Sequence, residues 1–487
     1  MDRLKELPSA LVWDIFQELS SIPRASGNEA AVASWIASYA SSHGCASRID
    51  ETGNVLVIAK SSEGCQNVPP LAFQAHMDMV AVRDETCRHD FSSDPLDLSI
   101  QEIDGEPFVT ADGTTLGADD GIGIALALAI MTDDEIRHGP LEALFTVGEE
   151  TSMAGISGFP GGMLGSKMMI NIDSEADDTV TAGAAGGSDA EFSCVLECAG
   201  ELKPSALKIE ISGLTGGHSG IEIHCGRANA IVTLARAARR LMEKIPLELT
   251  SFDGGTFRNA IPTSAAMVLA GRDEDIRSAA AALSSIAGEL ASEFRETDPG
   301  IDLRWEQVKP SPSADHEQSR RIVGAFASLP DGVFSMNDEF PDTVQSSSNL
   351  GLVRTESGRI VATALMRSLV TTDPIKEIMK THAGEYGLDL NFSGDYPCWK
   401  PSSYSPLLKI YEKVYAENCF AKPRVAVLHA GVECGILKGK YPDMDIISIG
   451  PNIIGAHTTG ERVSVPSVEK IYGLLLEVLE ELMDGAA

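Results

Sequence analysis

The sequence predicts an α/β domain with a central mixed sheet flanked by helices, plus an inserted α+β lid domain of two similar halves. Three observations point there. Helix and strand periodicities alternate over residues 1–185, strand-rich α+β patterning takes over at 186–399, and the helix–strand alternation resumes at 400–487. At 487 residues the chain also exceeds what one hydrophobic core normally supports, so at least two domains are expected.

In the first part, amphipathic helices are expected at Ser9–Ser20 and Glu29–His43, and strands at Asn54–Lys60 and Pro70–His76. A helix opens at Asp119-Asp120-Gly121, followed by strands Leu141–Val147 and Met168–Asp173. A Gly-rich piece, Gly183 to Gly187, leads into strands Phe192–Glu197 and Leu207–Ser212 and a helix Ala228–Lys244. After Arg304 the patterns recur: a strand-like stretch Met336–Val344, strands Leu350–Thr355 and Val361–Leu369, and a helix Asp373–Tyr386, so the insertion reads as two halves. The last part reads helix Pro406–Glu417, strand Arg424–Leu428, helix Gly431–Lys438, strand Asp445–Ile449 and a terminal helix from Pro466, which rejoin the first domain.

Acidic residues outnumber basic ones by 71 to 38, and the formal charge of −33 would repel a nucleic-acid backbone or an anionic membrane surface. The start carries charge throughout and lacks the apolar run of a signal peptide. The most apolar stretch, Ile122–Met131, is about half of what a bilayer requires. Nine cysteines lie scattered without CxxC spacing, which fits reduced thiols and a cytoplasmic location; Cys194 and Cys198, four apart, are assigned no chemistry.

Chemistry-bearing residues gather at the ends of the expected strands. In Ala75-His76-Met77-Asp78, period-two geometry sends His76 and Asp78 to one face, where a carboxylate can orient a metal-binding imidazole. Gly117-Ala118-Asp119-Asp120-Gly121 sets two carboxylates at a helix mouth, as an ordinary N-cap would, or as a bridge between cations beside a cap. Gly148-Glu149-Glu150 ends a strand with glutamates pointing in different directions, and Asn171-Ile-Asp173-Ser-Glu175 ends the next; alone, each also fits a solvated strand end. His457 follows on a Gly/Pro loop. Histidines and carboxylates at successive strand termini, where open α/β sheets collect ligands, form a zinc-type donor set. His429 and Glu433, in His429-Ala-Gly-Val-Glu433, are placed at the rim to meet a substrate amino group, with capping and packing as the alternative. Other histidines, His224 among them, have no such context.

Together AHMD, GADDG, GEE, NIDSE, GGHSG, RNAIP, SSSNLG, HAGVECG and the late GAH resemble the signatures of the aminoacyl-histidine (cytosol nonspecific) dipeptidases of the two-zinc exopeptidase superfamily, across both domains. The resemblance implies that His76, Asp119 and Asp173 hold one divalent ion and Asp119, Glu150 and His457 the other. The ions would be zinc, with cobalt or manganese also accepted by such ligands. Asp78 would orient His76. Glu149 would be general base to a hydroxide shared by cations about 3.5–4 Å apart, hydrolysing unblocked dipeptides of Xaa-His type and others. In the lid, the resemblance assigns His218 to the oxyanion, and Asn259 and Arg367 to the substrate carbonyl and carboxylate. The partners implied are a small peptide and, as a homodimer, a second copy of the chain. Tripeptidases and N-acyl amino acid deacylases use the same donors, and an inactive binding protein would retain the fold, so these readings stay open. Two departures stand out: AHMD in place of GHxD, and Thr458-Thr-Gly-Glu461 where a Ser-Pro-Asp-Glu turn is expected.

Overall fold

A computed structural model describes residues 4–197, 202–402 and 404–485. Cys198 lies outside the described residues. The chain forms two compact units: residues 1–184, 401–427 and 432–487, and residues 185–400 with 428–431.

The first unit is built on an eight-stranded mixed sheet. Its order is Ala46–Ile49, Val55–Ala59, Leu141–Thr146, Leu71–His76, Met168–Asn171, Asp445–Ser448, Thr179–Ala184 and Arg424–Leu428. The four central strands, from Leu141–Thr146 to Asp445–Ser448, run parallel, so their C-terminal ends open on one edge. The Leu71–His76 strand is buried along its whole length, as a strand covered on both faces must be. Against it packs the helix Ala118–Thr132, apolar all round and almost wholly buried. That helix can press so close only because residue 123 is glycine: a Cβ there would stand 2.3 Å from Asp120 Oδ1 and 2.7 Å from the Ile172 carbonyl oxygen. A four-stranded sheet completes the unit, joining Leu98–Ile103 and Glu106–Ala111 to Ile453–Ile454 and Arg462–Ser464. One continuous apolar core, including Trp13, Phe16, Phe73, Phe145 and Leu475, fills it.

The second unit carries a nine-stranded sheet and its own core, centred on Phe192, Phe252, Leu269 and Phe326. Two β-α-β-β-α-β halves make it. One is Ser205–Ser212, helix Ala230–Met242, Glu248–Gly254, Ala265–Gly271, helix Asp273–Glu293 and Asp302–Val308. The other begins with Gly186–Val195, is interrupted by the first half, and resumes with helix His316–Ala327, Val344–Glu356, Arg359–Ser368, helix Asp373–Tyr386 and Asp389–Tyr396. Numbered within each half, the strand order is 4-1-3-2 in both, and the two second strands meet at Gly254 and Val353. The two similar halves expected from the sequence are therefore present, one nested in the other.

Some boundaries differ from expectation. Met336–Val344 is not an element: a strand Gly332–Met336 ends where Asn337 Oδ1 accepts from the Glu339 and Phe340 N–H groups, and a new strand starts at Val344. That Asx-type turn outcompetes the ladder. The helix placed at Gly431 begins at Glu433. The 98–111 hairpin has little sequence signal, since its strands are mostly half-exposed and carry little apolar alternation. Among the described residues, no helix is long and apolar enough to cross a membrane.

Candidate metal centre

His76 is the last residue of its strand and is buried at the C-terminal edge of the sheet. Its Nδ1 lies 3.1 Å from the Asp78 carbonyl oxygen, so Nδ1 carries the proton and donates it. Nε2, left with its lone pair, faces Asp119 Oδ1 at 3.0 Å and Asp173 Oδ1 at 3.4 Å. On the loop after Asp445–Ser448, His457 Nε2 stands 3.1 Å from the other Asp119 oxygen, Oδ2, and 2.9 Å from Glu150 Oε2. Asp119 thus sits between the two histidines, one oxygen turned to each. Glu150 Oε1 is buried and, among the described residues, has no partner.

The adjacent Asp120 takes the other part anticipated for this pair. Its Oδ2 accepts from the His76 N–H and its Oδ1 from Gly123 N–H, so it ties strand to helix start. It lies within ligand range of His76 and Asp173, but both oxygens are engaged by backbone, whereas Asp119 is free to act as donor.

Asp78 works differently from the expected carboxylate–imidazole pair. Its carboxylate stands 3.6 Å from His76 Nδ1, farther than its own carbonyl, and is engaged elsewhere: it accepts from Glu149 N–H, Glu150 N–H and Ser26 Oγ. Gly148, at φ 66°, turns the chain so that both amide groups reach it. Burial would raise the Asp78 carboxyl, but His76, Ser26 and the Glu149 amide outweigh it and hold the group below its ordinary value. Asp78 therefore locks the Glu149-Glu150 turn to the His76 strand.

The electrostatics call for cations. In the polypeptide alone, burial, opposed by His76 and reinforced by Asp173, Glu433 and Glu150, pushes Glu149 up to about 9. Burial, partly offset by His76, pushes Asp173 up to about 6. Hydrogen bonds to Asp119 and Glu150 push His457 up to about 10. Carboxylates crowded around two imidazoles, with lone pairs converging and Glu150 Oε1 unpartnered among the described residues, fit divalent cations well.

Sequence reasoning missed two groups. Glu461 accepts the N–H groups of Leu116, Gly117, Ala118 and Asp119 at 2.7–3.3 Å, and the wholly buried Arg24 donates to the carbonyls of Met77, Asp78 and Gly117. A carboxylate four residues past His457 on a Gly-rich loop was the available signal. The second group surrounds Glu433. Expected at a rim, Glu433 is instead fully buried, and His429 is buried as well. The helix that Glu433 opens has its first turn against the central strands, where Gln74 and Thr146 supply donors.

In the second unit His218, Arg367 and His429 come together. His218 Nδ1 accepts from Gly220 and Ile221 N–H groups, which leaves the proton on Nε2, and burial with Arg367 beside it lowers the ring to about 4. Arg367 is 4% exposed; its Nη1 donates to Ser219 Oγ at 2.7 Å, and among the described residues its Nε has no partner. Burial and Arg367 likewise hold His429 down at about 3, with Ser347 Oγ 2.7 Å from its Nε2. Asn259 is exposed, and its carbonyl accepts from Ser219 N–H. A buried guanidinium lined by neutral imidazoles and hydroxyls is an anion receptor in character.

Residues 209–298 match the peptidase dimerisation domain of M20 peptidases. Over 99% of both chains, the protein is 35% identical to the cytosol non-specific dipeptidase of Escherichia coli (strain K12). The crystal structure of the aminoacylhistidine dipeptidase from Vibrio alginolyticus superposes with a TM-score of 0.88 at 34% identity, covering 98% of each chain. A tripeptidase from Staphylococcus aureus shares the fold at a TM-score of 0.56 and 18% identity, covering 98% of this chain and 99% of its own. The fold is that of an M20 metallopeptidase. The chain belongs to the family of the cytosol non-specific dipeptidases.

Proposed function

We propose that the protein hydrolyses unblocked dipeptides, those of Xaa-His type among them, at a centre of two divalent cations, zinc by the preference of its donors. The observation that carries this reading is Asp119, whose two oxygens face two separate histidine-carboxylate sets. His76, Asp119 and Asp173 would hold one ion, and Asp119, Glu150 and His457 the other. Ions there would supply Lewis acidity to the scissile carbonyl and acidify water.

The chain's own residues supply the rest. Asp78 holds the Glu149-Glu150 turn, leaving Glu149 as a carboxylate beside the donor set to take a proton from water and return it to the leaving nitrogen. Cations nearby would draw Glu149 down from the high value it has in the polypeptide alone, into the working range of a general base. We assign Arg367 and Asn259 to the substrate's carboxylate and carbonyl, and His218, protonated on Nε2, to the carbonyl oxygen that develops charge. The engagement of Glu433 by Gln74 and Thr146 favours support of its neighbours over direct contact with substrate, whereas His429, beside Arg367 and His218, keeps its assignment to the substrate. The match to a dimerisation domain supports a homodimer, and the relative named for the cytosol supports a cytoplasmic location.

Metal stoichiometry paired with hydrolysis assays tests this reading. Two zinc ions per chain, with turnover of β-alanyl-histidine and ordinary dipeptides above that of tripeptides and N-acetyl amino acids, is the expected result. A preference for blocked amines would replace dipeptidase with deacylase.

A further inference from the structure

Beneath the donor set lies a second polar layer that the proposed chemistry does not use. Glu433 Oε2 accepts from Gln74 Nε2 at 2.5 Å and from Thr146 Oγ1 at 2.7 Å, and Gln74 Oε1 accepts from Asn171 Nδ2 at 2.5 Å. All four residues are buried. Three of them stand on three adjacent strands of the central sheet, Leu141–Thr146, Leu71–His76 and Met168–Asn171.

The register is systematic. Gln74 precedes His76 by two residues, Asn171 precedes Asp173 by two, and Thr146 leads into the Gly148-Glu149-Glu150 turn. Since side chains repeat their face every second residue of a strand, Gln74 sits directly beneath His76 on the same face. Glu433, from the helix Glu433–Lys440, is the common acceptor that joins the layer. Such a group beside the buried Ala72, Leu144 and Met169 of the same sheet face costs stability unless it is hydrogen-bonded.

We infer that Glu433 is a positioning residue: as a buried acceptor joined to Gln74 and Thr146 it fixes the three strand ends from which His76, Glu149, Glu150 and Asp173 project, and so sets the affinity of the metal centre. The inference rests on reading those side chains as the metal site. Burial, with Asp173 adding and Thr146 and His76 opposing, pushes the Glu433 carboxyl up to about 8, in keeping with a neutral group at pH 7. Among the described residues its buried Oε1 has no hydrogen-bond partner.

Zinc affinity, measured by competition with a chromophoric chelator on the full chain, tests this. Glu433→Gln keeps a neutral acceptor and is expected to bind zinc within about threefold of wild type. Glu433→Leu and Thr146→Val remove the acceptor or one of its donors and are expected to weaken binding by about 10–100-fold, the range for outer partners of metal ligands. Thr146→Val, nearly isosteric, decides the matter if the leucine variant does not fold. Wild-type affinity in both Leu and Val variants, or a glutamine variant as weak as the leucine one, overturns the inference. If the wild-type chain itself takes up no zinc, the metal reading fails first and this inference falls with it.

Discussion

Glu461 holds Asp119 from behind: its carboxylate accepts the Asp119 N–H together with those of the three preceding residues, and it follows His457, which faces the Asp119 carboxylate, by four positions. Two loops far apart in sequence are thereby clamped into one cradle. The buried charge of Arg24 lies close enough to offset that of Glu461.

Removing that clamp should be severe. Glu461→Ala leaves a row of buried N–H groups unpaired and Arg24 poorly compensated, so a loss of about 3–5 kcal/mol is expected. Glu461→Gln, which retains one acceptor oxygen, should lose less. Urea midpoints for the two variants check the order; equal midpoints in wild type and Glu461→Ala would remove the clamp from the account.

Glu149→Ala should separate chemistry from metal holding. Turnover of dipeptides is expected to fall by about 10²–10⁴, the usual share of a general base, while zinc content stays near that of wild type. Loss of zinc in proportion to loss of activity would instead make Glu149 a ligand.

Stability should depend on pH through Asp331, whose carboxylate accepts from Leu350 N–H and Asn229 Nδ2 in the second unit. Burial, partly offset by those two bonds, pushes its carboxyl up to about 6. A raised carboxyl pKa favours the protonated folded state, so its cost is absent below the unfolded value of about 3.9 and fully present above 6. Asp331→Asn, which keeps an acceptor oxygen, is expected to be about 1–2 kcal/mol more stable than wild type at pH 8, discounted for the partial exposure of the residue. The advantage should vanish near pH 4. Denaturant melts at both pH values decide it, and a constant difference would rule out titration as the cause.

Arg367 bears on selectivity. If its buried fork receives the substrate carboxylate, Arg367→Met should raise KM for dipeptides by about 10–100-fold. It should leave the rate on the corresponding dipeptide amides nearly unchanged. An equal effect on both substrates would assign Arg367 to the fold alone.

Much of this centre was legible in the sequence because its residues sit at ends of periodic segments. His76 and Asp78 share a face by simple alternation, Asp119 stands at the mouth of an apolar helix, and Glu150 and Asp173 each follow an apolar strand. What the side chains of Asp78 and Glu433 touch was not legible. Asp78 meets the Glu149-Glu150 turn, and Glu433 meets Gln74 across 359 positions, through contacts that only the assembled sheet creates. The Glu461 clamp was hidden for the same reason: the four backbone amides it receives carry no sequence signature.

The sharing of Asp119 between two cations is tested most directly by counting zinc in three proteins under the same loading conditions. Wild type should hold two ions per chain, His457→Ala one, and Asp119→Ala none with high affinity, because both donor sets include that carboxylate. An Asp119→Ala protein that still retained one tightly bound zinc would show that the two sets do not share it.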